Sequence, residues 1–410
     1  MTSVENGGAW ARSWRDKFPI VEKTTYLVNH SLGAMPVGVR DKLKAFMDQW
    51  ETRGVRSWDE GWWSAPSDVG DLLGKIMNAP EGSVVMHQNV SVIEGIVASS
   101  LDFSGPRNKV VYSDQNFPTN MYVWEGFRKL GAEIEVVPSD DGGIVPTERL
   151  LEAIDETTLI VPISHVCFRN SYLQDAKAIC ERARSVGALV LLDTYQSLGT
   201  VPVDVQDLGV DMVCGGSVKW LCGGPGAGYL YVRPDLQEEL HPRITGWMAH
   251  ADPFAFETGA QRYSDSARRF LNGSPAVASL LHASAGYEII LEAGVGAIRD
   301  WSLYLTKGLA QDLLERGFEI YGPKVGAQRG GTLTVALNED ESGPAFVKSL
   351  ERRGILVDHR QGAGIRVSPH FYTLEEELAE FAQAMGELRA SRDSAKDLAA
   401  AGVYLPPPSA

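Results

Sequence analysis

Positive charge is scarce in this chain. Lys and Arg number 38 against 53 Asp and Glu, leaving a net charge of -15. No basic block offsets the deficit, so neither nucleic acid nor an anionic membrane is expected as a partner, because both need a cationic face. Cysteine is scarcer still. Cys167, Cys180, Cys214 and Cys222 are scattered without CxxC spacing. That predicts a reducing, cytoplasmic setting with no disulfide framework and no metal site. Long apolar runs are missing too. Nothing approaches the roughly 18 residues that cross a bilayer, and the opening stretch "MTSVENGGAWARSWRDKFPIVEKTTYLVNH" has charges throughout and no signal-peptide core. What is left is 410 residues, 44% hydrophobic and 22% charged. This is an ordinary globular composition, long enough for more than one domain.

The middle of the chain alternates short apolar runs with amphipathic stretches. "SVVMH", "KVVYS", "AEIEVVP", "TLIVPIS", "GALVLLD", "DMVCGG" and "GYLYVRP" suit parallel strands buried on both faces. Between them, "PTNMYVWEGFRKLG" and "YLQDAKAICERARSVG" read as helices ending at a glycine. The alternation predicts an α/β fold, with a large doubly wound, mainly parallel seven-stranded domain over 65–280. A long helical pattern over 276–316 leads into a smaller α+β C-terminal domain, 281–395. Its strands are "FEIYG", "GTLTVAL", "GILVDH" and "GIRVSP". Residues 1–64 are expected to pack on the small domain and at a subunit interface, and 396–410 to be loosely held.

One motif raises a chemical question. "GGSVKWLCGGPGAGYLYV" sets Lys219 just ahead of a glycine-rich run. A phosphate-binding P-loop needs its lysine after the glycines, and a dinucleotide fingerprint needs a helix after them. Here the glycines lead into a strand, so both readings fail, and the glycines can equally serve a turn. A Schiff-base lysine remains, which requires a carbonyl cofactor. Asp193 ends the strand "GALVLLD", 26 residues earlier. Ligands of open α/β sheets bind at such strand ends, although an aspartate there also caps helices.

From Leu191 to Val232 the sequence resembles the cofactor region of class V, fold-type I pyridoxal-phosphate enzymes, and is most similar to kynureninase. "YLVNHSLGAMP", "NFPTNMY", "GWMAH", "RRFLNGSPAV" and "GIRVSP" extend the resemblance in order over most of the chain. It implies pyridoxal 5'-phosphate bound to Lys219, Asp193 paired with the pyridine nitrogen, and Phe117 stacked on the ring. It implies a phosphate cradle of Asn89, Val90 and Ser91 at a helix start, helped by Ser217. Trp247 with Asn272 and Ser274 would complete the cradle, the last two from a second subunit. Arg366 would clamp the substrate carboxylate, with His30 and Ser31 near the substrate's far end. The partners implied are a small amino-acid substrate and a second copy in a homodimer. Trp58, Trp62 and Trp63 read either as a channel wall or as interface packing.

Four positions depart from the kynureninase pattern. Val218 stands where that family has a tyrosine, Gln196 where it has a histidine, Asn120 where it has an acid, and His30 where it has an asparagine. Gln196 and Asn120 can still bind the cofactor, but valine cannot move a proton. No cysteine follows Cys222, which speaks against a persulfide-forming desulfurase. The reading is therefore β-elimination, C–S cleavage of an S-substituted cysteine. It resembles lyase-type relatives that process sulfur conjugates in lincosamide-type antibiotic pathways. The alternatives are decarboxylating oxidative deamination to an aldehyde, aminotransfer, kynureninase-type hydrolysis, or a catalytically silent regulator.

Overall fold

The structure, a computed structural model, describes residues 7–140 and 143–391, so the expected loose tail lies outside the described residues. After a short β1 (Thr25–Tyr26), the seven apolar runs form one sheet. Its strands are β2 (Val84–His87), β3 (Lys109–Ser113), β4 (Glu133–Val137), β5 (Thr158–Ser164), β6 (Leu189–Asp193), β7 (Met212–Gly216) and β8 (Gly228–Val232). The spatial order is β2-β8-β7-β6-β5-β3-β4.

Pairing is parallel from β7 through to β4. β8 differs: it runs antiparallel to both β7 and β2. The segment 217–227 that joins β7 to β8 is too short for a crossover helix, so the chain must turn straight back. Ser217 N donates to Ala227 O at 2.9 Å to close this turn. Gly224 and Gly226 take φ of +71° and +89° within it. The glycines after Lys219 thus shape a turn.

The strands are buried on both faces, as their unbroken apolar character requires. Val111, Val161, Val190, Leu192 and Val213 pack into one layer. Their neighbours Val110, Ile160, Leu191, Met212 and Cys214 pack into the other. The layers are completed by crossover helices such as Ala176–Val186. That helix starts at Asp175, whose carboxylate caps Ala178 N, and ends at Gly187 with φ +75°. The result is a doubly wound α/β architecture.

The long helical pattern breaks in two, Val277–Ala293 and Val295–Glu315, because Gly294 sits at φ +77°. Beyond it come β9 (Glu319–Ile320), β10 (Leu333–Ala336), β11 (Ile355–Leu356), β12 (Asp358–Arg360) and β13 (Gly364–Val367). β12-β13-β10-β9 is an antiparallel sheet. The run "GILVDH" divides between two sheets, since β11 instead pairs parallel with β1. That pairing brings residues 25–33 across to the large sheet's strand ends. Gly33 N donates to Val218 O at 2.8 Å, and a Cβ on Gly33 would collide with Lys219 O. Glycine is therefore required where "NHSLG" passes the lysine.

Candidate active site

A cavity of about 320 Å³ opens at the carboxyl ends of the parallel strands, lined by residues that include Lys219, Asp193, Phe117 and Tyr195. A groove between the helices Val295–Glu315 and Glu375–Ser391 is larger, about 370 Å³, but gathers no strand ends. Chemistry, not size, selects the first.

Asp193 closes β6 and is buried. Its Oδ1 accepts Tyr195 N at 2.9 Å and its Oδ2 accepts Asn120 Nδ2 at 3.1 Å. Burial raises its pKa, while these two donors and the charge of Lys219 work the other way. Asn120 thus orients the aspartate, a task an acid at that position would oppose by like charge.

Lys219 reaches the cavity from the β7–β8 turn. Its Nζ makes no hydrogen bond or ion pair among the described residues and lies over two rings, Tyr195 at 4.3 Å and Phe117 at 5.6 Å from the centroids. Burial lowers its pKa from 10.5 to about 7; Asp193 opposes the shift, and Arg366 and Arg360 add to it. An amine so placed has a substantial neutral, nucleophilic fraction near physiological pH.

The helix Val90–Ser99 begins at the cavity, with Asn89, Val90 and Ser91 in its lining. Asn89 is the N-cap, its Oδ1 accepting Val92 N at 3.1 Å. The remaining free N–H groups of the first turn make a ready anion site. Ser31 and Gln196 also face the cavity. The Gln196 amide is engaged at both ends, accepting Trp220 Nε1 at 3.1 Å and donating to His30 O at 3.1 Å. Phe117 is 41% exposed and meets Phe168 edge-on at 5.2 Å, which leaves a ring face open to the cavity.

Six expected site residues are not in the lining. Ser217 is buried, and its hydroxyl is shared between Ala227 O at 2.7 Å and the Tyr287 hydroxyl. It serves the turn, not the cradle. Trp247 packs on Trp63 at 5.1 Å, and Asn272 borders a separate cleft beside His87 and Met248. Ser274 likewise lies outside this chain's cavity lining. Of the tryptophan cluster, Trp62 stacks on Phe46 at 4.8 Å, away from the cavity.

His30 and Arg366 sit behind the wall and share a partner that the motifs did not reveal, Asp358. Arg366 Nε donates to Asp358 Oδ1 at 2.8 Å, Nη2 bonds Oδ2, and Nη1 donates to Phe168 O at 2.7 Å. His30 Nε2 lies 2.9 Å from Asp358 Oδ1, and its Nδ1 2.6 Å from Ser368 Oγ. Burial, with Arg366, lowers the His30 pKa to about 4, so the ring is neutral. Burial works against the Asp358 charge, but the bonds from His30 and Arg366 hold its pKa well below the usual range.

These residues fit pyridoxal phosphate. An unpaired amine of lowered pKa, a buried carboxylate held by donors, an open aromatic face and a helix N-terminus converge on one cavity. Tyr195 and Asp358 are the additions that sequence motifs missed. Tyr195 follows the strand-end aspartate by two residues, in the turn after β6.

A family model described as aminotransferase class-V matches residues 26–391. An uncharacterised aminotransferase of Bacillus subtilis is 32% identical over 365 residues, covering 89% of this chain and 94% of the relative. Kynureninase of Pseudomonas fluorescens is 29% identical over 393 residues, covering 91% of each. Among solved structures, a cysteine desulfurase from Thermococcus onnurineus aligns with a TM-score of 0.82 at 21% identity, over 92% of this chain and 97% of the other. The cystine C–S lyase C-DES aligns at 0.81 and 19% identity, over 90% and 99%.

Proposed function

The chain belongs to the class-V aminotransferase family of pyridoxal-phosphate-dependent enzymes, and we propose that it cleaves the C–S bond of an S-substituted L-cysteine by β-elimination. Bound at this site, pyridoxal phosphate supplies a carbonyl for the substrate amine and a ring that accepts electrons when a bond to Cα breaks. Lys219 would be the anchoring amine and the base for the α-proton. Asp193, aimed by Asn120, would keep a positive charge on the ring nitrogen. Phe117 would cover one ring face, and the N–H groups at Val90 and Ser91 would hold the phosphate. Arg366, which the resemblance makes the α-carboxylate clamp, is paired with Asp358 behind Phe168 and would have to exchange that carboxylate for the substrate's. A second copy in a homodimer would bring Asn272 and Ser274 to the phosphate.

The observation that carries the reading is the short inventory of proton-moving groups in the cavity. Among its lining residues only Lys219, Asp193 and Tyr195 titrate. Asp193 is committed to the ring nitrogen, Gln196 to Trp220 and His30, and Val218 has nothing to give, so once Lys219 handles the α-proton a single phenol, Tyr195, is left for any second proton transfer. Hydrolytic Cα–Cβ cleavage needs a water activated at a carbonyl and a proton delivered to carbon, each worth roughly 100- to 10,000-fold in rate from a positioned side chain. β-Elimination asks less. Lys219 removes one proton, the sulfur departs as a thiolate with the C–S electron pair, and water then releases ammonia and a 2-oxo acid.

Holoenzyme supplied with a panel of S-substituted cysteines and with L-kynurenine tests this by product mass. A thiol with a 2-oxo acid and ammonia, and almost no anthranilate, is expected. Rapid anthranilate release would overturn the proposal in favour of the hydrolase. Oxygen uptake with carbon dioxide and an aldehyde would move it to oxidative deamination.

A further inference from the structure

Tyr195 has no role in the account above, yet the backbone is built around it. It follows Asp193 by two residues and lines the cavity, and its ring passes beneath Lys219 Nζ. The floor under that ring is Gly216, at the end of β7. A Cβ on Gly216 would lie 2.5 Å from Tyr195 Cζ and 2.6 Å from its Oη. Gly216 does not have a positive φ; glycine is needed there for space, so that a phenol can lie flat on the strand. The start of the helix Val90–Ser99 borders the same strand ends. Gly216 pairs with Gly228 in the sheet, and a Cβ on Gly228 would lie 3.1 Å from Asn89 Cα and N. The phenol and that helix start thus flank paired residues, and both line the cavity.

We infer that Tyr195 is a cofactor-holding residue, its ring forming the second face of the slot opposite Phe117 and its hydroxyl donating to the phosphate. The inference rests on the pyridoxal-phosphate reading. Lys219 Nζ already lies over both ring faces, so a planar group joined to that nitrogen enters between them. Tyr195 Oη has no hydrogen-bond partner among the described residues, which leaves its proton for a ligand. Burial, with the charge of Asp193, raises its pKa from 10.0 to about 12, so it is a neutral donor near neutral pH. Val218 removes the phenol that the resembled family places beside the lysine. Tyr195 returns one from a different strand end.

Titration of the apo-protein with pyridoxal phosphate and with pyridoxal, followed by visible absorbance and induced circular dichroism, tests the inference. Ring stacking of this kind is worth a factor of roughly 5 to 150 in affinity. Tyr195→Ala is expected to weaken both ligands by about 10-fold or more. Gly216→Ala keeps the tyrosine but forces its ring to move, and is expected to weaken both in the same way. Tyr195→Phe keeps the ring and is expected to weaken pyridoxal phosphate roughly 3- to 10-fold, the range of one lost hydrogen bond, while binding pyridoxal like wild type. Melting curves of the apo variants confirm that each is folded. Wild-type affinities in Tyr195→Ala and Gly216→Ala would overturn the stacking role. Equal loss of both ligands in Tyr195→Phe would overturn the phosphate role. Failure of the wild-type protein itself to take up pyridoxal phosphate would instead overturn the reading on which the inference stands.

Discussion

Replacing Lys219 with methionine should make the apo-protein more stable, and by an amount that depends on pH. The side chains are similar in length, so the change removes charge with little loss of packing. Lys219 titrates near 7 in the folded chain instead of at 10.5, a difference that corresponds to roughly 5 kcal/mol of unfavourable burial. Its Nζ faces a cavity that water enters, which screens this cost, and about 2–3 kcal/mol is the expected effect. The sign follows from proton counts. Below pH 7 the lysine is charged in both states, and the folded state carries the whole penalty. Between about 7 and 10.5 the unfolded chain binds more protons, so wild-type stability climbs with pH. Above 10.5 neither form is charged and the penalty is gone. Asp193 loses a favourable neighbour in the variant, but its own raised pKa lets it take up a proton and limits that loss. Urea unfolding of both apo-proteins at pH 6.5 and 9.5 reads the difference. An advantage for Lys219→Met that is large at pH 6.5 and shrinks at 9.5 is expected. A variant less stable than wild type, or an advantage independent of pH, would refute the reasoning.

Asp358→Ala leaves the Arg366 guanidinium buried without its carboxylate, and should cost about 3–5 kcal/mol of unfolding free energy, read by urea titration. Adding Arg366→Met to it should restore much of that loss, because the stranded charge is then gone. Glu94, on the helix that starts the cradle, is fully buried, and neither carboxyl oxygen reaches hydrogen-bond geometry. Burial and the charge of Asp193 raise its pKa well above the ordinary 4.5, although the Trp124 indole lies close enough to favour the charge. A raised carboxyl stabilises fully below its unfolded pKa and loses that contribution as pH rises, at up to about 1.4 kcal/mol per pH unit until the folded value is passed. Glu94→Gln should therefore flatten the fall of stability above pH 4.5, seen as melting temperatures that diverge from wild type as pH increases.

The parts of the site written as contiguous motifs were legible in the sequence. Asp193 ends an apolar strand and Lys219 precedes a turn rich in glycine, each a local pattern with a local cause. The strand "GYLYV" was legible as a strand but not in direction, because apolar content reports burial and says nothing about which way a neighbour runs. The family resemblance made Ser217 a phosphate ligand, but the hairpin closure takes its hydroxyl inward to Ala227 O and Tyr287. Asp358 was invisible because its two partners, His30 and Arg366, meet it only when the N-terminal segment crosses to the small sheet, and nothing local marks that crossing. Tyr195 was hidden for a similar reason: its meaning depends on Gly216, which sits on the neighbouring strand.

Covalent labelling of Lys219 tests the central claim most directly. Holo-protein treated with borohydride, digested and mapped by mass should carry the reduced cofactor on the peptide that contains Lys219, and the Lys219→Met variant should carry none. Label on another lysine, or no label on a protein that has bound pyridoxal phosphate, would contradict the assignment on which the proposed chemistry rests.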